Sequence, residues 1–228
     1  MKNEVVLLLD VDNTLLDNDR VLTDFNRYIE DTIGYENNKR YWTIFEELRD
    51  KIGYADYLGA LQLYRVKHPH DPRLLNISSY ILNYPFANRL FPRVLDIIGQ
   101  LKKWGLVVIF SDGDIVYQPR KVERAGLFNI ANSNALIYVH KELELEDVES
   151  RYPAQHYILV DDKMKILSAV KQSWKGHVTT IFLRQGHYAL DPEVHVKYPP
   201  ADLTIEGIDE LITYGLEKLI QLGKTVRP

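Results

Sequence analysis

Residues 7–15, Leu7-Leu8-Leu9-Asp10-Val11-Asp12-Asn13-Thr14-Leu15, decide what kind of fold this chain can adopt. The apolar run 5–9 leads directly into two aspartates that are spaced two residues apart. A run this short and this continuously apolar is typical of a strand buried on both faces of a parallel sheet. Ligands of such sheets bind at the carboxyl ends of the strands. The stretch therefore predicts a buried strand that brings Asp10 and Asp12 to a binding site.

Similar apolar runs recur along the chain, with helical patterns between most of them. The runs are 106–110, 135–139, 157–160, 178–183 and, more weakly, 201–205. Before the first of these, apolar residues at 94, 97, 98 and 101 follow the spacing of one helical face. A last helix is predicted near residues 207–222. Strand and helix in alternation predict an α/β fold, with a Rossmann-like parallel sheet covered by helices on both faces.

Between residues 17 and 91 this alternation stops, and helical patterns occur without a convincing strand. Leu22, Phe25, Ile29 and Ile33, for example, share one helical face. We predict an all-helical insertion over residues 18–90, with hinges at residues 17–19 and 83–92. Residues 1–17 and 91–228 would then form the α/β core.

The composition excludes several classes of function. The 228 residues include no cysteine, so disulfides, a thiol nucleophile and cysteine-based zinc sites are excluded. The 28 basic and 32 acidic residues give a net charge of −4, which argues against a nucleic-acid partner. The apolar run near the amino terminus is too short for a signal peptide or a membrane span. We therefore expect a cytoplasmic protein without a membrane partner.

Polar residues follow the predicted strands at three further places. Ser111-Asp112-Gly113-Asp114 ends the second run and offers a hydroxyl and a glycine turn that can face an anion. Lys141 follows the third run, and Asp161-Asp162 follows the fourth. Paired carboxylates repel each other unless a cation or a proton lies between them, and oxygen ligands favour Mg²⁺ over zinc. Each feature alone is also typical of a capped turn, but their order at successive strand ends favours a site.

Three lysines compete for the position of the site's cation. Lys121 lies in a predicted helix after the second strand, and Lys163 directly follows the second aspartate pair. We favour Lys141, because it follows a strand directly and leaves room for one crossover helix before Asp161.

In these residues the sequence resembles the haloacid dehalogenase superfamily of phosphatases and related hydrolases. Asp10-Val11-Asp12-Asn13-Thr14 matches the first family motif, and Ser111, Lys141 and Asp161-Asp162 match the second, third and fourth in order. The helical insertion resembles the mobile cap that this family places between its first two motifs. The resemblance implies a sheet in which the first strand lies between the second and the fourth.

The resemblance also implies a Mg²⁺-dependent phosphatase that acts on a small phosphorylated metabolite. Asp10 would attack phosphorus and form an aspartyl-phosphate, while Asp12 would serve as acid and base. The resemblance implies that the catalytic residues are Asp10, Asp12 and Lys141. It implies that phosphate is bound by Thr14, Ser111, Asp112, Gly113 and Lys141. Mg²⁺ would be bound by Asp10, the backbone carbonyl of Asp12, and Asp161, with Asp162 as a further metal-binding or lysine-orienting group.

Other functions on the same fold stay open at this point. A 2-haloacid dehalogenase attacks carbon and needs neither the metal nor an acid at Asp12, so Asp12 and the Asp161-Asp162 pair argue against it. A phosphomutase needs the same motifs and a cap that excludes water. A non-catalytic phosphate-binding regulator would be indicated by loss of Asp10, Asp12 or Lys141, and all three are present.

Overall fold

The computed structural model describes residues 3–191 and 193–225, and a six-stranded parallel sheet lies at its centre. The strands are β1 (Asn3–Leu9), β2 (Leu106–Asp112), β3 (Ala135–Tyr138), β4 (Ala154–Asp161), β5 (Val178–Leu183) and β6 (Leu203–Ile205). Their order is β3-β2-β1-β4-β5-β6, and every neighbouring pair is parallel. The predicted α/β fold is confirmed, and β1 lies between β2 and β4 as the resemblance implied.

The register of the sheet brings the ends of its three central strands together. Leu9, the last residue of β1, lies opposite Ile109 in β2 and Val160 in β4. Asp10 and Asp161 therefore follow paired residues on adjacent strands, and Ser111 lies two residues beyond Ile109. The register alone gathers the polar residues of three predicted motifs at one edge of the sheet.

Helices cover both faces of the sheet. The core helices are α5 (Val94–Leu101), α6 (Tyr117–Arg124), α7 (Leu127–Ile130), α8 (Leu145–Arg151), α9 (Met164–Trp174), α10 (Gly186–Ala189), α11 (Val194–Lys197), α12 (Glu210–Tyr214) and α13 (Leu216–Lys224); the numbers α1 to α4 belong to the insertion described below. Alternate residues of β1 belong to two different apolar clusters, Leu7 and Leu9 to one and Val6 and Leu8 to the other. Because both faces of this strand are buried, its sequence is continuously apolar.

The predicted helix over residues 207–222 is wrong in one respect, because the structure has two helices there. Gly215, with a φ of 74°, separates α12 from α13. This conformation favours glycine and interrupts the regular helix that the apolar spacing suggested. Across the described ranges, no helix combines the length and the apolar character needed to cross a membrane.

The insertion between β1 and α5 is helical, as predicted. It contains α1 (Asn18–Ile33), α2 (Tyr35–Ile52), α3 (Tyr57–Lys67) and α4 (Arg73–Asn83), followed by a 3-10 turn at Phe86–Arg89. The two chain segments that connect it to the core run side by side. The backbone N–H of Asp17 donates to the carbonyl of Arg89 (2.8 Å), and the backbone N–H of Phe91 donates to the carbonyl of Leu15 (3.0 Å). Asn18 and Asp19, predicted as hinge residues, are instead the first residues of α1, and Asp17 is its N-cap.

Candidate active site

Three buried carboxylates converge at the carboxyl edge of the sheet. Asp10 follows β1, Asp161 ends β4, and Asp162 comes next; one oxygen from each lies within 4.8 Å of the others. Among the described residues, Oδ2 of Asp10 and both carboxylate oxygens of Asp162 have no hydrogen-bond partner. Burial, together with the charges of Asp10 and Asp161, raises the pKa of Asp162 well above its usual value. Such a group is costly without a cation or a proton, so these carboxylates fit a hard divalent metal ion.

Lys141 completes this buried cluster. Its Nζ lies 2.5 Å from Oδ1 of Asp10 and 2.7 Å from Oδ2 of Asp161, and it donates to the carbonyl of Phe110 at 3.0 Å. Burial disfavours its charge, but the two carboxylates outweigh burial and raise its pKa. Burial raises the pKa of Asp10 to about 7, although Lys141 opposes this. Lys141 thus occupies one oxygen of Asp10 and leaves the other, Oδ2, for a metal ion or a substrate.

Asp12 faces a different environment from Asp10. Its side chain is 25% exposed, and both of its oxygens accept from Nζ of the buried Lys121, at 2.6 and 2.8 Å. Oδ2 also accepts from the side-chain amide of Gln118 at 3.3 Å. The side chain of Asp12 therefore stands apart from the carboxylate cluster, and a metal contact through its backbone carbonyl stays a prediction.

Ser111 lies close to Asp12 but is buried. Its Oγ accepts from Nε2 of Gln118 at 2.9 Å. The following Gly113 is required by packing, because a Cβ at this position would lie 2.7 Å from the Cβ of Gln118. Ser111 and Gly113 are thus both held against the first turn of α6.

Asp112, predicted to bind phosphate, is held by a lysine. Its Oδ2 lies 3.2 Å from Nζ of Lys163, and its Oδ1 lies 3.7 Å from Nζ of Lys141. Burial would raise the pKa of Asp112, but the two lysines outweigh it and lower the pKa. An anion at this position adds no attraction for phosphate. The side chain of Asp112 therefore offsets the charge of Lys163, and phosphate binding by Asp112 stays a prediction.

The remaining predicted residue, Thr14, lies in the turn after Asp12. Thr14 is fully buried, and its Oγ1 has no partner in the described part of the chain. Beside it, Asn13 adopts a φ of 58° and accepts the backbone N–H groups of Asn18 (3.0 Å) and Asp19 (3.2 Å). The turn therefore joins the site to the start of the helical insertion.

A cleft of about 660 Å³ separates the insertion from the edge of the sheet. Asp12, Lys121 and Asp162 line it on the core side. Four aromatic residues line it on the insertion side: Trp42, Phe45, Tyr54 and Tyr57. The cleft thus connects the buried carboxylates to aromatic side chains that can contact the organic part of a ligand, and these lie beside the charged residues Glu46, Arg49 and Asp50.

Sequence reasoning missed most of the contacts around Asp12. The sequence suggests Lys121 only as a competitor of Lys141 and Asn18 only as a hinge residue, and it gives Gln118 no role. The sequence signal that could have indicated these contacts is the spacing of Gln118 and Lys121, which lie three residues apart on one face of a short helix. Their partners in the chain are distant: Lys121 and Asp12 are 109 positions apart.

The comparison with solved structures finds close similarity over nearly the whole chain. A haloacid dehalogenase-like hydrolase from Burkholderia xenovorans LB400 is 50% identical, with a TM-score of 0.90 over 95% of this chain and 98% of that one. The magnesium-bound HAD-hydrolase YfnB from Bacillus subtilis is 15% identical, with a TM-score of 0.61 over 94% and 98% of the two chains. The L-2-haloacid dehalogenase from Xanthobacter autotrophicus is 17% identical, with a TM-score of 0.58 over 94% and 98%. The last two share the fold. No protein-family model and no curated protein matches the chain.

Proposed function

This chain belongs to the haloacid dehalogenase-like hydrolases, and we propose that it is a Mg²⁺-dependent phosphatase acting on a small phosphorylated metabolite. The observation that carries the proposal is the cluster of Asp10, Asp161 and Asp162, with buried oxygens that lack partners. A phosphate ester and a carboxylate nucleophile are both anions and repel each other. A cation between them is therefore needed for phosphoryl transfer, whereas attack on an uncharged carbon has no such need.

In the proposed reaction Asp10 attacks phosphorus, the bond to the leaving oxygen breaks, and an aspartyl-phosphate forms. Lys141 fixes the Asp10 carboxylate through Oδ1 during this step. Mg²⁺ bound by the carboxylate cluster would supply the positive charge that lets the anionic reactants approach. Ser111 donates its hydroxyl hydrogen to a non-bridging phosphoryl oxygen.

Asp12 then handles the protons of both halves of the reaction. It donates a proton to the leaving oxygen and later accepts one from the water that attacks the aspartyl-phosphate. That attack breaks the bond between phosphorus and the Asp10 oxygen, which releases inorganic phosphate and restores Asp10. Asp12 suits this role because its side chain lines the cleft, where a leaving group and water have access.

A 2-haloacid dehalogenase is the main alternative. Its reaction needs only a carboxylate nucleophile and a site for the halide. Without a metal ion, both oxygens of Asp162 would stay buried beside two other carboxylates and without a hydrogen-bond partner among the described residues, which is energetically unfavourable. This arrangement favours the phosphatase.

The proposal is tested by hydrolysis of an aryl phosphate, with a 2-haloacid as the competing substrate. We expect phosphatase activity that disappears with excess chelator and returns with Mg²⁺. Asp162→Asn should raise the Mg²⁺ concentration needed for half activity by about 10- to 100-fold. Asp31→Asn, at an exposed position on α1, is the matched control and should behave as the wild type. Phosphatase activity that persists in excess chelator, or halide release without phosphatase activity, would contradict the proposal.

A further inference from the structure

We infer that Gln118 and Lys121, one turn apart on α6, are positioning residues for the reaction: Gln118 orients Ser111, and Lys121 fixes Asp12. The inference rests on the proposed function, because it concerns the two groups that would contact the phosphoryl oxygens and the leaving group. Neither residue belongs to the four motifs in which the sequence resembles the family.

Gln118 determines whether the hydroxyl group of Ser111 can donate a hydrogen bond to a substrate. The amide nitrogen of Gln118 can only donate, and it lies 2.9 Å from Oγ of Ser111. The hydroxyl oxygen therefore accepts this bond, and its own hydrogen stays available to a phosphoryl oxygen. The second hydrogen of the same amide nitrogen is directed to Oδ2 of Asp12 at 3.3 Å. One buried amide thus links the phosphate-binding hydroxyl to the acid and base.

The ammonium group of Lys121 uses all of its hydrogen-bond donors in contacts with protein atoms. Lys121 is 1% exposed, and its ammonium group has three hydrogens to donate. Two contacts go to the oxygens of Asp12, and one goes to Oδ1 of Asn18 at 3.0 Å. The ammonium also lies 4.7 Å from the centre of the Tyr117 ring. With its donors occupied, Lys121 has none left for a phosphate, so it acts through Asp12.

The loop that follows Ser111 at the end of β2 also sets the position of α6. Asp114 accepts the backbone N–H groups of Val116 (2.8 Å) and Tyr117 (2.7 Å), which fixes the start of the helix. The absence of a side chain on Gly113 allows Gln118 to approach the loop. One short segment therefore supplies both Ser111 and the helix that orients it.

Double-mutant cycles separate positioning from a merely structural role. We expect Gln118→Met to lower kcat on an aryl phosphate by about 10²-fold, because Ser111 and Asp12 lose their alignment. In a Ser111→Ala background the same change should have a much smaller effect, because there is no hydroxyl left to orient. Lys121→Met should likewise lower kcat in the wild type and have little further effect beside Asp12→Asn.

The control is Arg120→Met, which alters a half-buried residue of the same helix whose guanidinium group contacts Glu123 at 2.8 Å, and this change should leave kcat unchanged. Melting temperatures monitor folding in every variant. If Gln118→Met does not fold, Gln118→Glu carries the cycle, because it keeps the shape of the side chain and replaces the donor by an oxygen.

Two results would overturn the inference. The first is that the effects of Gln118→Met and Ser111→Ala multiply, as expected for independent sites. The second is that crystal structures of the Gln118 and Lys121 variants show Ser111 and Asp12 in unchanged positions. The crystallographic result does not depend on activity, so it decides the inference even if the wild type hydrolyses no phosphate ester, an outcome that would instead refute the proposed function.

Discussion

Asp10 and Asp12 carry the same side chain two residues apart, yet their surroundings differ sharply. Asp10 is fully buried beside Lys141, whereas Asp12 is partly exposed to the cleft and held by Lys121. The buried carboxylate is shielded from water and suits a nucleophile. The exposed carboxylate can exchange protons with a leaving group or with water.

The sequence predicted both aspartates and Lys141 as site residues, because the carboxyl ends of parallel strands lie along one edge of the sheet. It did not predict Lys121 as the partner of Asp12. That contact depends on the angle at which α6 packs against the sheet, and no spacing within the chain encodes this angle.

At the residue scale, His156 makes the stability of the protein depend on pH. Nε2 of His156 lies 2.8 Å from Oγ1 of Thr179, whose hydroxyl donates to the carbonyl of Leu219 at 2.7 Å. The hydroxyl oxygen therefore accepts from Nε2–H. Burial lowers the pKa of His156 from its usual 6.5 to about 4; nearby Lys224, Lys171 and His177 act in the same direction, and Asp202 opposes them.

Between pH 6.5 and 4 the unfolded chain therefore binds a proton at this residue that the folded protein does not bind. The contribution of His156 to the free energy of unfolding is present above pH 6.5 and is lost as the pH falls through this window. We expect His156→Gln to lose less stability than the wild type between pH 7 and pH 5, measured by urea unfolding. The exposed His70→Gln is the control. An equal loss of stability in wild type and His156→Gln would contradict this assignment.

At the scale of elements, glycine positions determine where helices can start and stop. Gly186, the first residue of α10, has a φ of 72°, and a Cβ there would lie 2.4 Å from Cγ of Asn13. Since Asn13 accepts the first N–H groups of α1, we expect Gly186→Ala to lower the free energy of unfolding by about 1–3 kcal/mol.

Gly99, inside α5, provides the matched comparison. A Cβ at this position meets no atom within 4 Å, so Gly99→Ala should stabilise the protein by about 0.5–1 kcal/mol. Urea unfolding of the two variants measures both effects. Equal stability of the Gly186→Ala and Gly99→Ala variants would show that the contact with Asn13 is unimportant.

The elements also show where sequence patterns are informative. Four of the strands, β1, β2, β4 and β5, were predictable because both of their faces are buried, which leaves a continuous apolar run. The helix break at Gly215 was not predictable, because the apolar spacing continues across it from Leu211 to Leu219. The two helices are separated by the backbone conformation of this glycine. The start of α1 at Asn18 was also missed, because its N-terminal hydrogen bonds come in part from Asn13, outside the helix.

At the scale of the whole molecule, the helical insertion forms one wall of the cleft and makes polar contacts with the core near both of its ends. Nη2 of Arg124 donates to the carbonyl of Asn83 (3.0 Å), and the ring of His187 lies 2.6 Å from Oδ1 of Asp19. The linkers pair through backbone hydrogen bonds and can act as a hinge. We expect crystals with and without a phosphate mimic to differ by a rigid rotation of residues 18–90 that breaks these polar contacts and keeps the linker bonds.

If the insertion keeps the same orientation relative to the core in several crystal forms, with and without the phosphate mimic, this result would contradict a moving cap. The sequence located this insertion by the absence of strand patterns. It could not predict the cleft, because the aromatic residues that line it have the same helical spacing as residues of an ordinary core.

The central claim is that Asp10 becomes phosphorylated, and the most direct test is to trap that species. Asp12→Asn keeps the nucleophile but lacks the base that helps water cleave the aspartyl-phosphate, a loss of about 10²–10⁴-fold. An aryl phosphate has a good leaving group, so with Mg²⁺ present this variant should release one equivalent of phenolate in a burst, and mass spectrometry after acid quench should place the phosphate on Asp10. Asp10→Asn should show neither the burst nor the label. Phosphate on another residue, or steady turnover by Asp10→Asn, would contradict the account.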